Sequence, residues 1–227
     1  MVTEKPPRNT RTCPYCGSLF PKEPRKKTRC KSCGEDVYVR TKQNIFNSDL
    51  LTKDDTLAAD FLKGLLDMGA TEDDYFRTAS DLAAKWGKEP SSPDVVWAVS
   101  NRLIMKPPRS YFGGKPDRES LFQHAKMVTF LQARYQGERG NNPAKLLNVV
   151  NNYDLKILDH AFRSPGLKIE ICTNSCCEKC KSLYEGKIYT MAQLKEKSVL
   201  PVIECTNLIT EDRPYSWCTC FYGFVGD

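Results

Sequence analysis

Four cysteines near the start of the chain have the spacing of a tetrahedral zinc site. Cys13 and Cys16 form one Cys-x-x-Cys pair, and Cys30 and Cys33 form a second pair after an intervening loop. Each pair presents two thiolates close together, and the glycine after each pair lets the backbone turn toward a metal without a clash from a Cβ atom. The pattern predicts a zinc ribbon over residues 1–42. The alternative is that these cysteines form disulfides.

We expect the zinc in this ribbon to be structural. A segment this short cannot bury enough apolar surface to fold alone, so metal binding must supply part of its folding free energy. Four thiolates also complete the coordination shell, whereas catalytic zinc needs an open position.

The positive charge of the chain is concentrated in the same segment. Residues 1–42 contain 11 lysines and arginines against 4 acidic residues, whereas the rest of the chain contains 23 against 24. A basic loop that a metal holds rigid attracts the phosphates of nucleic acids, either DNA or RNA. The candidate contact residues are Lys22, Arg25, Lys26, Lys27, Arg29, Lys31 and Arg40.

Three aromatic residues of the ribbon are candidates for contacts with bases. Tyr15, Phe20 and Tyr38 would add stacking if the partner is single-stranded. The alternative is that the basic loop is only solvated and that these aromatic residues fill the small core of the ribbon.

A second group of cysteines lies near the end of the chain. Cys177 and Cys180 form another Cys-x-x-Cys pair, with Cys205, Cys218 and Cys220 downstream. Alternate residues on a strand point in opposite directions, so only one of the last two is expected to reach a metal. We predict a second zinc ion on Cys177, Cys180, Cys205 and Cys218, with Cys220 as the substitute for Cys218.

The remaining cysteines and the composition favour a reducing environment. We expect Cys172 and Cys176 to be small buried side chains beside the second site. The count of 11 cysteines is odd, which disfavours complete disulfide pairing. The sequence has neither a secretory leader pattern nor a long apolar run, so we expect a soluble, cytoplasmic protein with no membrane contact.

Residues 43–165 are predicted to form a helical domain of about five helices. The pairs Thr52/Asp55 and Thr71/Asp74 have the spacing of capping boxes, and apolar residues follow each pair at helical spacing. These two pairs therefore mark the first two helix starts.

Three further helices follow in the same region. Ser92 as a cap and Pro93 in the first turn predict the start of the third helix. A longer helix is predicted from about Asp117 to Gln136, followed by a loop over residues 137–142. The last helix is predicted to begin at Pro143 and to extend toward Phe162.

Extended segments are predicted at both ends of the chain. Val37–Val39 is predicted to be the last strand of the ribbon, and Leu167–Ile171 alternates with the period of a strand. Glu185-Gly186 is predicted to be a turn between two extended pieces. The chain is therefore predicted to be α+β, with a small cysteine-rich zinc module with short strands at 166–227.

The two cysteine-rich ends also resemble known proteins. The run from Cys177-Glu-Lys-Cys180 to Tyr189-Thr190, a Leu200-Pro201 element and the final Trp217-Cys-Thr-Cys220 resemble the C-terminal cysteine module of Mu F-type phage head-morphogenesis proteins. The ribbon with its Tyr38-Val-Arg-Thr41 ending is similar to that of uncharacterised phage and prophage proteins that carry this module. The family ending His-Pro-x-Cys-Arg-Cys differs here, because no histidine follows His160.

The resemblance implies a phage or mobile-element origin and a fold held by zinc. It also supplies an alternative function, in which the protein is a virion-assembly or scaffold-type factor that binds a protein partner during head assembly.

A nuclease is the third possibility, and the sequence gives it little support. The histidines, His124 and His160, fall on predicted helices outside the cysteine groups. Glu170, Glu185 and Lys187 only superficially match a carboxylate-and-lysine nuclease site. No glycine-rich phosphate loop or nucleophilic serine motif is present, so we favour a function without catalysis.

Overall fold

The structure is a computed structural model with two compact units. It describes residues 9–40, 46, 48–162, 166–173, 177–201 and 220–225. Within this part of the chain, seven α-helices and two small antiparallel sheets give the mixed α and β content that the sequence predicts. The units are Met1–Val99 and Ser100–Asp227. The predicted domain boundaries near residues 42 and 165 stay predictions.

The sheet of the first unit packs against two residues of the first cysteine group, Cys13 and Cys30. Its strands are β1 (Thr28–Arg29), β2 (Asp36–Val39) and β3 (Leu50–Leu51), paired antiparallel in that order. Val37 of β2 is completely buried and packs with Leu50 in one apolar cluster. The predicted strand at 37–39 is confirmed, but it is not the last strand, because β3 comes from beyond residue 42.

The first two helices begin where their caps predict. They are α1 (Lys53–Asp67) and α2 (Glu72–Trp86). The Thr52 hydroxyl accepts a hydrogen bond from the Asp55 N–H at 3.0 Å, which caps α1. Thr71 and Asp74 form a complete capping box at the start of α2.

The third helix, α3 (Ser92–Met105), begins one residue earlier than the sequence predicts. The cap is Ser91, whose hydroxyl donates to the Asp94 carboxylate at 2.5 Å. The prediction that Ser92 is the cap is wrong, because only Ser91 has a carboxylate three residues later to complete the exchange of hydrogen bonds. Pro93 is therefore the second helical residue.

Two long helices pack together in the second unit. They follow a 3₁₀ turn at Arg109–Phe112 and are α4 (Arg118–Glu138) and α5 (Ala144–Phe162). α4 continues through Gly137, which the sequence analysis assigns to a loop. The helix ends at Glu138 with Arg139 as its C-cap. Gly140, whose φ is 83°, then turns the chain, and the Asn141 N–H donates to the Gln136 carbonyl at 2.9 Å.

The sheet of the second unit has the strand order β5-β4-β6. Its strands are β4 (Lys168–Cys172), β5 (Ile188–Thr190) and β6 (Phe221–Phe224). Ile169 and Ile171 of β4 point into an apolar cluster that includes Leu155 of α5 and Tyr222 of β6. The predicted strand at 167–171 is confirmed to within one residue.

Two short helices of this unit are missing from the sequence analysis. They are α6 (Glu178–Tyr184), which precedes the Glu185-Gly186 turn, and α7 (Met191–Glu196), which begins with a capping box of Thr190 and Gln193. The turn therefore follows a helix and not an extended piece. No described helix combines the length and apolar character needed to cross a membrane.

An ion pair between α4 and α5 generates a prediction about pH. Lys126 Nζ lies 2.5 Å from Asp154 Oδ1, and burial raises the pKa of Asp154 although Lys126 opposes the change. The pKa of Asp154 in the folded protein is higher than its value of ~3.9 in the unfolded chain. The free energy of unfolding therefore falls as the pH rises from the unfolded pKa through the folded pKa, where Asp154 becomes ionised. Asp154→Asn should reduce that loss. Urea unfolding across this pH range measures it.

The matched control is Asp159→Asn on the same helix. Asp159 forms an exposed ion pair with Lys195 at 2.8 Å, and its substitution should leave the pH profile close to that of the wild type. A profile for Asp154→Asn that overlays the wild type would contradict the prediction.

Candidate metal centre

Both N-terminal Cys-x-x-Cys pairs are folded into turns of the same construction. The N–H of Gly17 donates to the carbonyl of Cys13, and the N–H of Gly34 donates to the carbonyl of Cys30, each at 2.9 Å. The two glycines have φ values of 74° and 79°, a conformation that residues with a Cβ atom rarely adopt. Both turns therefore need glycine after the second cysteine, as the sequence analysis expects.

The four sulfur atoms converge on one point. Cys13 Sγ lies 3.9 Å from Cys33 Sγ, and Cys16 Sγ lies 3.8 Å from Cys30 Sγ. All four lie within 4.8 Å of one another. A tetrahedral zinc ion with Zn–S bonds of ~2.3 Å needs sulfur atoms about 3.8 Å apart, whereas a disulfide bond is only ~2.05 Å long. The four sulfurs therefore fit one metal ion and are not bridged to each other.

The site lies at the edge of the small core of the ribbon. Cys13 and Cys30 are buried and belong to the same apolar cluster as Phe20. The second cysteine of each pair is exposed. One face of the cluster is therefore protected by apolar packing, and the other is open to solvent.

Backbone N–H groups of the turns point at the sulfurs. Those of Tyr15 and Cys16 donate to Cys13 Sγ, and the N–H groups two and three residues after Cys30 donate to Cys30 Sγ in the same way. Such donors favour the ionised thiolate, which is the form that binds metal.

The Ser18 hydroxyl contacts one sulfur from each pair. Its Oγ lies 3.1 Å from Cys16 Sγ and 3.4 Å from Cys30 Sγ. These contacts, together with backbone N–H donors, lower the pKa of Cys16 and lower the pKa of Cys30 to about 6. No local sequence pattern points to Ser18, because its second contact is with Cys30, which lies twelve residues further along the chain.

The other two thiols have pKa values shifted in the opposite direction. Burial raises the pKa of Cys13. The Sγ of Cys33 accepts a backbone hydrogen bond from Glu35, but desolvation and the neighbouring thiols raise its pKa to about 12. Four thiolates this close repel each other unless a cation is present, so the cluster favours a bound divalent ion.

Arg11 supports the loop between the two turns and is also missing from the sequence analysis. Its Nη2 donates to the carbonyls of Phe20 at 3.0 Å and Pro21 at 3.1 Å. The guanidinium thereby fixes the chain where it leaves the first turn. No local sequence signal indicates this role, since both contacts are with carbonyl groups.

The structure describes three of the five cysteines considered for the second zinc site. Cys180 and Cys220 are buried in one apolar cluster and Cys177 packs against it, with 3.4 Å between Cys177 Sγ and Cys180 Sγ. Cys205 and Cys218 lie outside the residues that the structure describes. Three cysteines therefore form a second group, and the ligand set of a second zinc site stays a prediction.

Cys172 lies on the other face of the C-terminal sheet. Its neighbour Ile171 points into the core, and a Cβ atom added at Gly223 would lie 2.6 Å from Cys172 Sγ. The sulfur therefore occupies the space above Gly223, on the face of the sheet opposite Ile171. Cys176 is outside the described residues.

The predicted basic residues differ in their partners. Lys27 pairs with Asp36 at 2.8 Å, and the half-buried Arg40 pairs with Asp60 at 3.3 Å. Arg29 is exposed and donates from Nε to a backbone carbonyl. Lys22, Arg25, Lys26 and Lys31 are exposed and, like Arg29, have no carboxylate partner among the described residues.

The three aromatic residues of the ribbon have different environments. Phe20 is only 8% exposed and fills the core, as the alternative interpretation expects. Tyr15 is 39% exposed, and its hydroxyl accepts a hydrogen bond from the Lys53 N–H at 2.9 Å. Tyr38 is half-buried, with Lys27 Nζ 5.0 Å from its ring centroid.

The candidate nuclease residues lie in the second unit. His124 is buried on α4, with its ring 4.9 Å from that of Tyr111, and His160 Nδ1 on α5 lies 3.9 Å from Glu119 Oε2. Glu170 is exposed on β4. Glu185 and Lys187 flank the glycine of the turn before β5.

The fold and this site define a protein whose N-terminal unit carries a four-cysteine cluster that could hold a metal ion. No protein-family model, curated protein or solved structure matches the chain. The assignment of function therefore depends on the residues themselves.

Replacing Ser18 should weaken metal binding without abolishing it. Ser18→Ala removes the hydroxyl that contacts both Cys16 and Cys30 but keeps all four sulfurs. We therefore expect the zinc affinity to fall by roughly 10- to 100-fold. Competition with a chromophoric chelator measures the change. Ser32→Ala is the matched control, because Ser32 is an exposed serine inside the second turn. Equal affinities for the two variants would contradict the role of Ser18.

Replacing one ligand should remove the ion from this site. Cys13→Ser or Cys33→Ser leaves three thiolates, so we expect the zinc content to fall by one ion per chain and the ribbon to become sensitive to protease. Native mass spectrometry of protein purified without chelator gives the count. An unchanged count in both variants would place the ion elsewhere.

Proposed function

We propose that the protein binds zinc at its N-terminal cysteine cluster and binds nucleic acid through the adjacent basic loop, without catalysis. The observation that carries the proposal is the group of exposed cations at Lys22, Arg25, Lys26 and Lys31, which have no carboxylate partner among the described residues. Clustered cations of this kind attract phosphates spaced along a backbone.

The role proposed for zinc is to make the loop rigid. Cys13, Cys16, Cys30 and Cys33 would hold the ion, which supplies a cross-link between the two turns and cancels part of the thiolate charge. Since these turns precede and follow the basic loop, the loop is constrained at both ends. A constrained loop loses less conformational entropy when it binds a partner.

The binding should depend strongly on salt. Three unpaired cations on the loop and Lys31 in the second turn, or five cations with Arg29, would release a similar number of counterions from DNA. The logarithm of the binding constant should then fall with the logarithm of salt concentration at a slope of roughly −3 to −5.

Charge reversal on the loop tests the proposal. The variant Arg25→Glu, Lys26→Glu, Lys31→Glu should abolish binding of DNA and RNA oligonucleotides while the helix content stays unchanged. Fluorescence anisotropy at several salt concentrations measures the affinity and the slope. We leave Lys27 unchanged because its pair with Asp36 contributes to the fold around β2.

A matched variant separates loop contact from net charge. Lys63→Glu, Lys85→Glu, Lys88→Glu changes the net charge equally at exposed lysines of the same unit outside the ribbon. It should reduce affinity far less than the loop variant. Equal effects of the two variants, or a loop variant that binds with an unchanged salt slope, would overturn the proposal.

A second candidate function is assembly with a protein partner. Ile188 and Phe221 are 56% and 50% exposed, on strands that flank β4 of the C-terminal sheet. Exposed apolar residues of this size are common at protein interfaces. The resemblance of the cysteine module to head-morphogenesis proteins supports the same candidate, and with it a phage or prophage origin and action in the host cytoplasm.

Sedimentation distinguishes the two functions. A nucleic-acid binder should sediment as a single species that shifts with added oligonucleotide in a salt-sensitive manner. An assembly factor should form oligomers or co-sediment with head proteins without nucleic acid, and Phe221→Lys should prevent this.

The proposal includes a second zinc ion near the C-terminus. Cys177 and Cys180 would supply two thiolates, Cys205 a third, and Cys218 or Cys220 the fourth. The grouping of Cys177, Cys180 and Cys220 supports it. Two ions per chain by mass spectrometry would agree with the proposal, and one ion would remove this part of it.

A further inference from the structure

A cavity beside the second cysteine turn has the composition of a site for a nucleotide base. Its volume is about 510 Å³, within the range of sites that hold small ligands. Two tyrosines, Tyr15 and Tyr38, line it together with the cations Arg29 and Lys53. Glu35 and Asp36 complete the polar part of the lining. The cavity thus combines aromatic rings with charges of both signs.

Tyr15 is held in place although its ring is accessible. The ring is 39% exposed, and its hydroxyl accepts a hydrogen bond from the backbone N–H of Lys53, the first residue of α1. Tyr15 also lies inside the first Cys-x-x-Cys turn, between Cys13 and Cys16. An aromatic ring that is fixed before binding loses little entropy when a base stacks on it.

The cations around the cavity are arranged to leave charge for a ligand. Lys27 neutralises Asp36 at 2.8 Å and lies over Tyr38, 5.0 Å from the ring centroid. The Nε of Arg29 donates to the carbonyl of Gly34 at 2.7 Å, which fixes the guanidinium and uses only one of its nitrogens. Arg29 and Lys53 therefore place two positive charges in the lining of the cavity.

The mixture of charges favours a nucleotide over a simple anion. A site for phosphate alone would not include the Glu35 carboxylate, which repels anions. The same carboxylate can accept hydrogen bonds from the amino groups of bases. Stacking on tyrosine needs an unpaired base, because the faces of bases in a duplex are already covered by their neighbours.

We infer that this cavity binds one unpaired base of a single-stranded nucleic acid, which stacks on Tyr15 while Arg29 and Lys53 contact the adjoining phosphate. The inference rests on the proposed function and adds to it a preference for single strands over duplex. In this arrangement the basic loop supplies most of the affinity for nucleic acid, and the cavity supplies the preference for single strands over duplex.

The first test compares single-stranded and duplex oligonucleotides of one sequence on the zinc-loaded full chain. The wild type should bind the single strand more tightly at equal salt. Tyr15→Ala should weaken single-strand binding by about 5- to 150-fold, the usual effect of removing one stacking ring, and leave duplex binding nearly unchanged. Tyr111→Ala is the matched control, because Tyr111 is 40% exposed and lies in the other unit.

A second pair of variants keeps the test valid if Tyr15→Ala loses zinc. Lys53→Gln removes a cation from an exposed helix start, where positive charge is unfavourable, so the fold should be retained. It should reduce the magnitude of the single-strand salt slope by about 1. Lys63→Gln, an exposed lysine later in α1, should leave the slope unchanged.

The outcomes separate this inference from the proposed function. Equal affinity for single strands and duplex, or equal effects of Lys53→Gln and Lys63→Gln, would overturn the cavity assignment while the loop proposal stands. A zinc-retaining Tyr15→Ala variant with unchanged single-strand binding would do the same. A wild type that binds neither form of nucleic acid would overturn both.

Discussion

The crowding of four cysteine sulfurs within 4.8 Å of one another is the constraint on which the N-terminal unit depends, because four thiolates at this spacing would repel each other. The backbone brings the sulfurs together through two turns of one design, and amide donors stabilise their ionised forms. Neither the short strands nor the apolar cluster around Val37 is large enough to hold such a charge arrangement alone. A divalent cation bound here would convert this unfavourable group into a cross-link and would make the loop between the turns rigid.

A rigid loop would present the positive charge of the N-terminal segment as a defined surface. A mobile basic segment attracts phosphates but presents no defined surface, whereas a loop fixed at both ends keeps its cations in one arrangement. The structure also divides these cations by partner. Lys27 and Arg40 form ion pairs with Asp36 and Asp60 of the same unit. The positive charge available to a ligand is therefore smaller and more localised than the composition alone indicates.

The sequence predicts those features whose determinants are close together in the chain. Thr71 and Asp74 are three residues apart, and the cap they form is correct. The pairing of β3 with β2 depends on distant residues, as does the contact of Ser18 with Cys30, and the sequence analysis finds neither. The burial of Phe20 also depends on distant residues, so a local pattern does not distinguish Phe20 from the more exposed Tyr15.

The hydrogen bond between the Tyr15 hydroxyl and the Lys53 amide joins the metal turn to the beginning of α1. The first amides of a helix have no partner within the helix, so an acceptor from outside stabilises its opening turn. In this chain that acceptor belongs to Tyr15, which lies between the candidate metal ligands Cys13 and Cys16. An ion bound by the four cysteines would therefore also steady the start of α1, and the order of that stretch of the chain would change with metal binding.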